Sequence, residues 1–190
     1  MPHSALLLVT LAADFAAHAH VRQHRKGLAQ EPYVNHLTEV ARLLAEATEG
    51  RDGVLVAAGF LHDTLEDTDT TFEDLVAAFN AEIAGVVAEV TDDKSLPSSE
   101  RKRLQIATVQ TKSPRAQLLK IADKTSNLRS LAASPPAGWS RERMVEYVDW
   151  AEAVVAQVRG RNAMLDAAFI AARDRARAEI SAKLREEKTA

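Results

Sequence analysis

Apolar positions recur along this chain at intervals of three and four, the spacing that lines one face of an α-helix. Residues 4–25 carry the pattern first, and Gly27 breaks it. Pro32 suits a first helical position, and Val40, Leu43 and Leu44 continue a second helix to about Gly50. A third runs from Asp52 to Asp67. Thr70 with Glu73 predicts a capping box for a short fourth helix through Phe79, and a fifth covers Glu82 to Val90.

TDDKSLPSS reads as a turn, after which Pro97 opens a basic helix beginning SSERKRLQ. Ser113 and Pro114 supply the N-cap and first turn of the helix carrying QLLKIADKTSNLRSL. SPPAG at 134–138 is a loop, and two long helices follow over about 140–159 and 162–187. Strand-type alternation never persists and no segment repeats. The pattern predicts one all-α domain over residues 1–190, a bundle of roughly eight or more helices.

Composition agrees with that class: 46% of the residues are apolar, yet only 5% are aromatic and 7 are glycine. A formal charge of −3 gives no overall attraction to nucleic acid or anionic membrane, although basic residues can still cluster around a small anion. The lack of cysteine excludes disulfides, thiol nucleophiles and thiolate metal sites. SALLLVTLAA has the apolar core of a leader, but no Lys/Arg region precedes it, and Asp14 and Phe15 resume an amphipathic pattern. No apolar stretch reaches the ~18 residues of a membrane span, so the expected location is the cytoplasm.

The chemistry concentrates in LHDTLEDT, residues 61–68. On a helix, His62 and Glu66, Asp63 and Glu66, and Asp63 and Asp67 all share one face near the C-terminus. Crowded carboxylates there repel one another and oppose the helix dipole, and a divalent cation would relieve both. Adjacent His and Asp ligands suit Mn²⁺, Fe²⁺ or a similar ion. A solvated, acid-capped helix end is the alternative reading. PYVNH adds His36 on the neighbouring helix, and KIADKTSN adds Asp123 after the apolar strip Leu118, Leu119 and Ile121. His18, His20 and His24 read as helix-face residues rather than a second metal site.

That set, with AADFAAHAHVRQHRK, EPYVNH, AAGFLHDTLEDTDTT, EVTDDKSLPSSERKRLQ, KIADKTSNLRSL and GWSRERMVEYVDWA, resembles the HD-domain hydrolases of the RelA/SpoT type. The likeness is to the single-domain small alarmone hydrolases and covers roughly residues 10–160. It implies an HD-type helical bundle in which His36, His62, Asp63 and Asp123 hold one divalent ion, Mn²⁺. It also implies that Glu66 and Asp67 orient and activate the attacking water. Arg25, Lys26, Asn127, Arg143 and Tyr147 then match substrate-binding positions.

The implied reaction is hydrolysis of the 3′-diphosphate of ppGpp or pppGpp to GDP or GTP and pyrophosphate. An NADPH phosphatase, a hydrolase of the adenosine alarmone, and a non-catalytic nucleotide-binding module are the alternatives. Two positions depart from the family pattern: Leu37 stands where proline commonly follows the histidine, and Ser126 stands where an aromatic residue or histidine often precedes the asparagine. The second departure bears on how the nucleoside would sit.

Overall fold

The structure, a computed structural model, describes residues 4–189 and the side chains of residues 4–182. Among the described residues are ten α-helices, one 3₁₀ turn and no β-strand. In chain order the helices are α1 (Ala5–Ala19), α2 (Val34–Ala47), α3 (Gly53–Leu61), α4 (Thr64–Asp67) and α5 (Phe72–Ala78). They continue with α6 (Ala81–Val90), α7 (Ser98–Thr108), α8 (Pro114–Ala133), α9 (Arg141–Ala156) and α10 (Ala163–Thr189). Polar caps start most of them: Ser4, Asp52, Asn80, Ser113 and Ser140 each accept an orphan backbone N–H with the side chain.

Two helices form the centre. Six of the nine residues of α3 are buried and none is fully exposed, as expected for a segment that is apolar all round, and it packs against α1, α2 and α6. Gly59 sets the α2–α3 approach, since a Cβ there would lie 2.8 Å from Leu44 and 3.2 Å from the Ala41 backbone. The second central helix, α8, packs on α2, α6, α9 and α10, and it buries Gln117, Lys120, Asp123, Lys124, Thr125 and Ser126 as well as Leu119, Leu128 and Leu131. Buried polar side chains need partners, and Lys120 finds one in the Val90 carbonyl at 2.7 Å.

Three predicted boundaries are corrected. The first helix ends at Ala19 rather than at residue 25, because the chain folds back on itself: the Arg25 N–H donates to Glu31 O and the Tyr33 N–H to Gln23 O. Val21, whose apolar side chain extended the predicted pattern, is 73% exposed. Of the three histidines read as helix-face residues, His18 is exposed on α1, His20 is buried just beyond it, and His24 lies on the returning segment.

The predicted helix over 52–67 breaks at His62 and Asp63. The His62 Nδ1–H donates to Gly59 O and the Thr64 hydroxyl to Leu61 O, taking carbonyls that a continuous helix would offer to the backbone. The capping box sits one residue later than expected, on Thr71 and Asp74. The remaining helices, and the loop at 134–138, lie within a few residues of their predicted places.

Candidate active site

The break after α3 aims His62 and Asp63 at the N-terminal end of α2 and the middle of α8. His36 of α2 and Asp123 of α8 meet them there. His36 Nε2 lies 3.5 Å from both Asp63 Oδ2 and Asp123 Oδ1. His62 Nε2 lies 3.0 Å from Asp63 Oδ2 and 3.8 Å from Asp123 Oδ1. Both imidazoles and Asp123 are buried, and one ligand atom from each of the three falls within 4.8 Å of the others. These three form a group with the size and donor chemistry for a divalent cation.

Hydrogen bonds to the outer nitrogens turn both imidazoles the same way. Because the Gly59 carbonyl can only accept, His62 carries a proton on Nδ1 and presents Nε2 to the carboxylates. That Nε2 is fully buried and has no correctly directed hydrogen-bond partner, although Asp63 is close. A buried ring nitrogen that faces carboxylates without a directed partner fits a cation ligand once it is deprotonated. The residues present therefore fit a divalent cation.

The electrostatics point to the same demand for positive charge. Burial opposes a charged His62, but Asp63 and Asp123 outweigh it and push the imidazole up to about 10. Burial likewise opposes the charges of Asp63 and Asp123. His62 and His36 nevertheless hold the Asp63 carboxyl well below the usual range, and Lys124, 3.0 Å from Asp123 Oδ2, with help from both imidazoles, does the same for Asp123. Tyr33 donates its hydroxyl to Asp63 Oδ2 at 2.7 Å, and Asn127 donates to Asp123 Oδ1 at 2.6 Å. Each carboxylate is thus fixed from outside the cluster.

Glu66 and Asp67 stand one turn further on, on α4. Glu66 accepts the Asp92 N–H and faces Arg101 at 3.5 Å. Burial pushes the Glu66 carboxyl up, the Asp92 N–H works against this, and the carboxylates of Asp92, Asp63 and Asp67 add to the rise. Asp67 accepts from Gln23 Nε2 at 3.3 Å and pairs with Lys94.

A cleft of about 250 Å³ opens beside the cluster, and Asp67, Arg25, Lys26, Asn127 and Tyr147 all line it together with Tyr33 and Trp139. Arg25 donates to Asn127 at 3.0 Å with its guanidinium 5.8 Å from the Tyr33 ring centroid. Glu66 instead borders a neighbouring groove that it shares with Asp67. Arg143 stands apart: it is exposed, with its guanidinium 4.5 Å over the Trp139 ring. Tyr33 and Asn127, which line the cleft, join it to Asp63 and Asp123 through their hydrogen bonds, whereas Glu66 and Arg143 lie outside it.

Several residues here were not singled out from sequence. Tyr33 and Gln23 precede α2 on the returning segment, and only that fold-back delivers them to Asp63 and Asp67. Lys124 is buried between Asp123 and the Trp150 ring, 4.4 Å from its centroid, a position that the apolar strip before it could have flagged. The two departures from the family pattern also find places. Leu37 is wholly buried in the core, and Ser126 turns toward His36 rather than into the cleft.

Residues 12–149 match the HD domain family. The guanosine-3′,5′-bis(diphosphate) 3′-pyrophosphohydrolase MESH1 of Mus musculus is 48% identical over 158 residues, covering 83% of this chain and 88% of that protein. The Homo sapiens protein of the same name gives the same 48% identity over 158 residues, with the same coverage. Among solved structures, a metazoan ortholog of SpoT described as hydrolyzing ppGpp superposes with a TM-score of 0.84 at 41% identity, covering 90% of this chain and 95% of that one.

Proposed function

The chain belongs to the HD-domain family, and from that premise we propose that it hydrolyses the 3′-diphosphate of ppGpp or pppGpp, releasing pyrophosphate and GDP or GTP. The observation that carries this reading is the convergence of His36, His62, Asp63 and Asp123 behind a cleft walled by Arg25 and Lys26, whose lining residues Tyr33 and Asn127 hydrogen-bond Asp63 and Asp123. A metal-ligand geometry beside a basic, aromatic-lined cleft suits a phosphorylated nucleoside.

The four ligands would hold one divalent cation, which we assign as Mn²⁺; when bound, it polarises the phosphoryl group and makes water a better nucleophile. Glu66, whose carboxyl is raised by burial and neighbouring charge, suits the removal of a proton from the attacking water. Asp67, held by Gln23 and Lys94, orients that water. The water oxygen bonds to the phosphorus attached to O3′, the P–O3′ bond breaks, and O3′ leaves with a proton.

Arg25 and Lys26 offset the dense negative charge of the substrate, a task that a chain of net charge −3 needs a local basic wall to perform. Asn127 and Tyr147 contact the nucleoside side of the cleft, and Arg143, stacked on Trp139, reaches a distal phosphate from outside it. No described helix is long and apolar enough to cross a membrane. We place this activity in the cytoplasm, in one domain spanning residues 1–190.

A panel of ppGpp, pppGpp, the adenosine analogue ppApp and NADPH, with Mn²⁺ or with chelator, tests the reading. Pyrophosphate from the first two, abolished by chelator, is the expected result. Phosphate released from NADPH alone would reassign the substrate, and no turnover of any nucleotide would leave a binding module.

A further inference from the structure

His36 Nδ1 lies 2.9 Å from the Ser126 hydroxyl, which lies 2.7 Å from Glu39 Oε2; Arg129 Nη1 donates to Glu39 Oε1 at 2.8 Å. His36 and Ser126 are 3% and 1% exposed, so water does not compete for these groups. Glu39, Ser126 and Arg129 have no part in the reaction as described above.

The direction of this chain of bonds is forced. Arg129 only donates, so Glu39 is held as an acceptor. Burial works against the Glu39 carboxylate, but the bonds from Arg129 and Ser126 outweigh it and hold the carboxyl below its usual range. A serine hydroxyl has one proton, and Glu39 can only accept it. Ser126 must then receive a hydrogen bond from His36, so Nδ1 carries the proton and Nε2 keeps its lone pair toward Asp63 and Asp123. The Gly59 carbonyl likewise keeps a proton on His62 Nδ1, so the proton that His62 gives up on ligation is the one on Nε2.

We propose that Ser126, with its polarity set by Glu39 and Arg129, is a positioning residue that locks His36 in the tautomer able to bind the cation. The proposal rests on the reading of His36 as a metal ligand. Hydrogen bonds behind ligating imidazoles typically change metal affinity about 10–100-fold when removed.

The Glu39→Gln variant makes the sharper test because shape is kept while polarity is reversed. Arg129 would claim the amide oxygen, leaving the NH₂ group to donate to Ser126. The serine proton would then turn to His36 Nδ1, and the imidazole proton would move to Nε2, facing the cation.

Two readouts apply to wild type, Ser126→Ala, Ser126→Thr, Glu39→Gln and His36→Ala. One is the His36 Nδ1–H resonance of the ion-free protein, by ¹H–¹⁵N NMR. The other is the Kd for Mn²⁺ by equilibrium dialysis. The expected result is a slowly exchanging Nδ1–H in wild type and Ser126→Thr, its loss in Ser126→Ala and Glu39→Gln, and Mn²⁺ binding weakened at least about 10-fold in those two. Wild-type spectra and affinities in Ser126→Ala and Glu39→Gln, with Mn²⁺ lost in His36→Ala, would overturn the positioning role alone. Undiminished Mn²⁺ binding by His36→Ala would overturn the ligand assignment beneath it.

Discussion

His36 and His62 meet edge to face, ring centroids 5.1 Å apart, and both turn Nε2 toward the same oxygen of Asp123. Neither ring could be placed there by its own helix alone; the close α2–α3 approach at Gly59 and the break after Leu61 bring them together.

Loss of one ligand should cost the ion. His62→Ala or Asp63→Ala is expected to purify with most of its divalent metal gone. Chelator should lower the Tm of wild type and leave that of the variants unchanged, because only the wild type gains stability from a bound ion. Metal analysis and thermal unfolding with and without chelator check this; equal metal content in all three proteins would contradict it.

Ion binding should release a proton. With the His62 imidazole raised to about 10 in the ion-free protein, it is charged at pH 8, whereas ligation requires it neutral. Calorimetry at pH 8 in buffers of different ionisation enthalpy should count about one proton released per ion, and affinity should fall as pH falls. The raised value also stabilises the ion-free fold, fully below the ordinary 6.5 and decreasingly as pH climbs toward 10. No proton release would mean that His62 binds no ion.

The water-handling pair should separate binding from chemistry. Glu66→Gln and Asp67→Asn keep shape and lose charge, so they should retain Mn²⁺ while turnover of ppGpp falls by roughly 10²-fold or more. Steady-state rates at saturating Mn²⁺ check this, and wild-type rates in both variants would remove the pair from the mechanism.

Arg143 should act on one phosphate only. Exposed on Trp139, it can be removed without disturbing the core, so Arg143→Ala should raise KM for ppGpp about 10-fold and leave metal content intact. A substrate lacking the 5′-diphosphate should be nearly indifferent to the change. Equal losses on both substrates would make Arg143 structural and shift phosphate binding to Arg25 and Lys26.

Much of this site was legible before the fold, for a physical reason. His62, Asp63, Glu66 and Asp67 lie close in sequence, and their mutual repulsion is itself a signal of a missing positive charge. Asp123 follows an apolar strip that fixes which way α8 faces. What escaped depends on contacts between distant segments: the fold-back at residues 20–33 that brings in Gln23 and Tyr33, and the Glu39–Ser126 bond between α2 and α8. The helix break at His62 escaped too, because side-chain bonds to Gly59 O and Leu61 O override a pattern that is helical throughout.

The most direct measurement is product analysis by ³¹P NMR of ppGpp turned over by the purified protein with Mn²⁺ in ¹⁸O-labelled water. The account predicts GDP and pyrophosphate as the products, with the label in pyrophosphate and none in GDP, because water attacks the phosphorus on O3′. Unchanged ppGpp, orthophosphate in place of pyrophosphate, or label in GDP would contradict it.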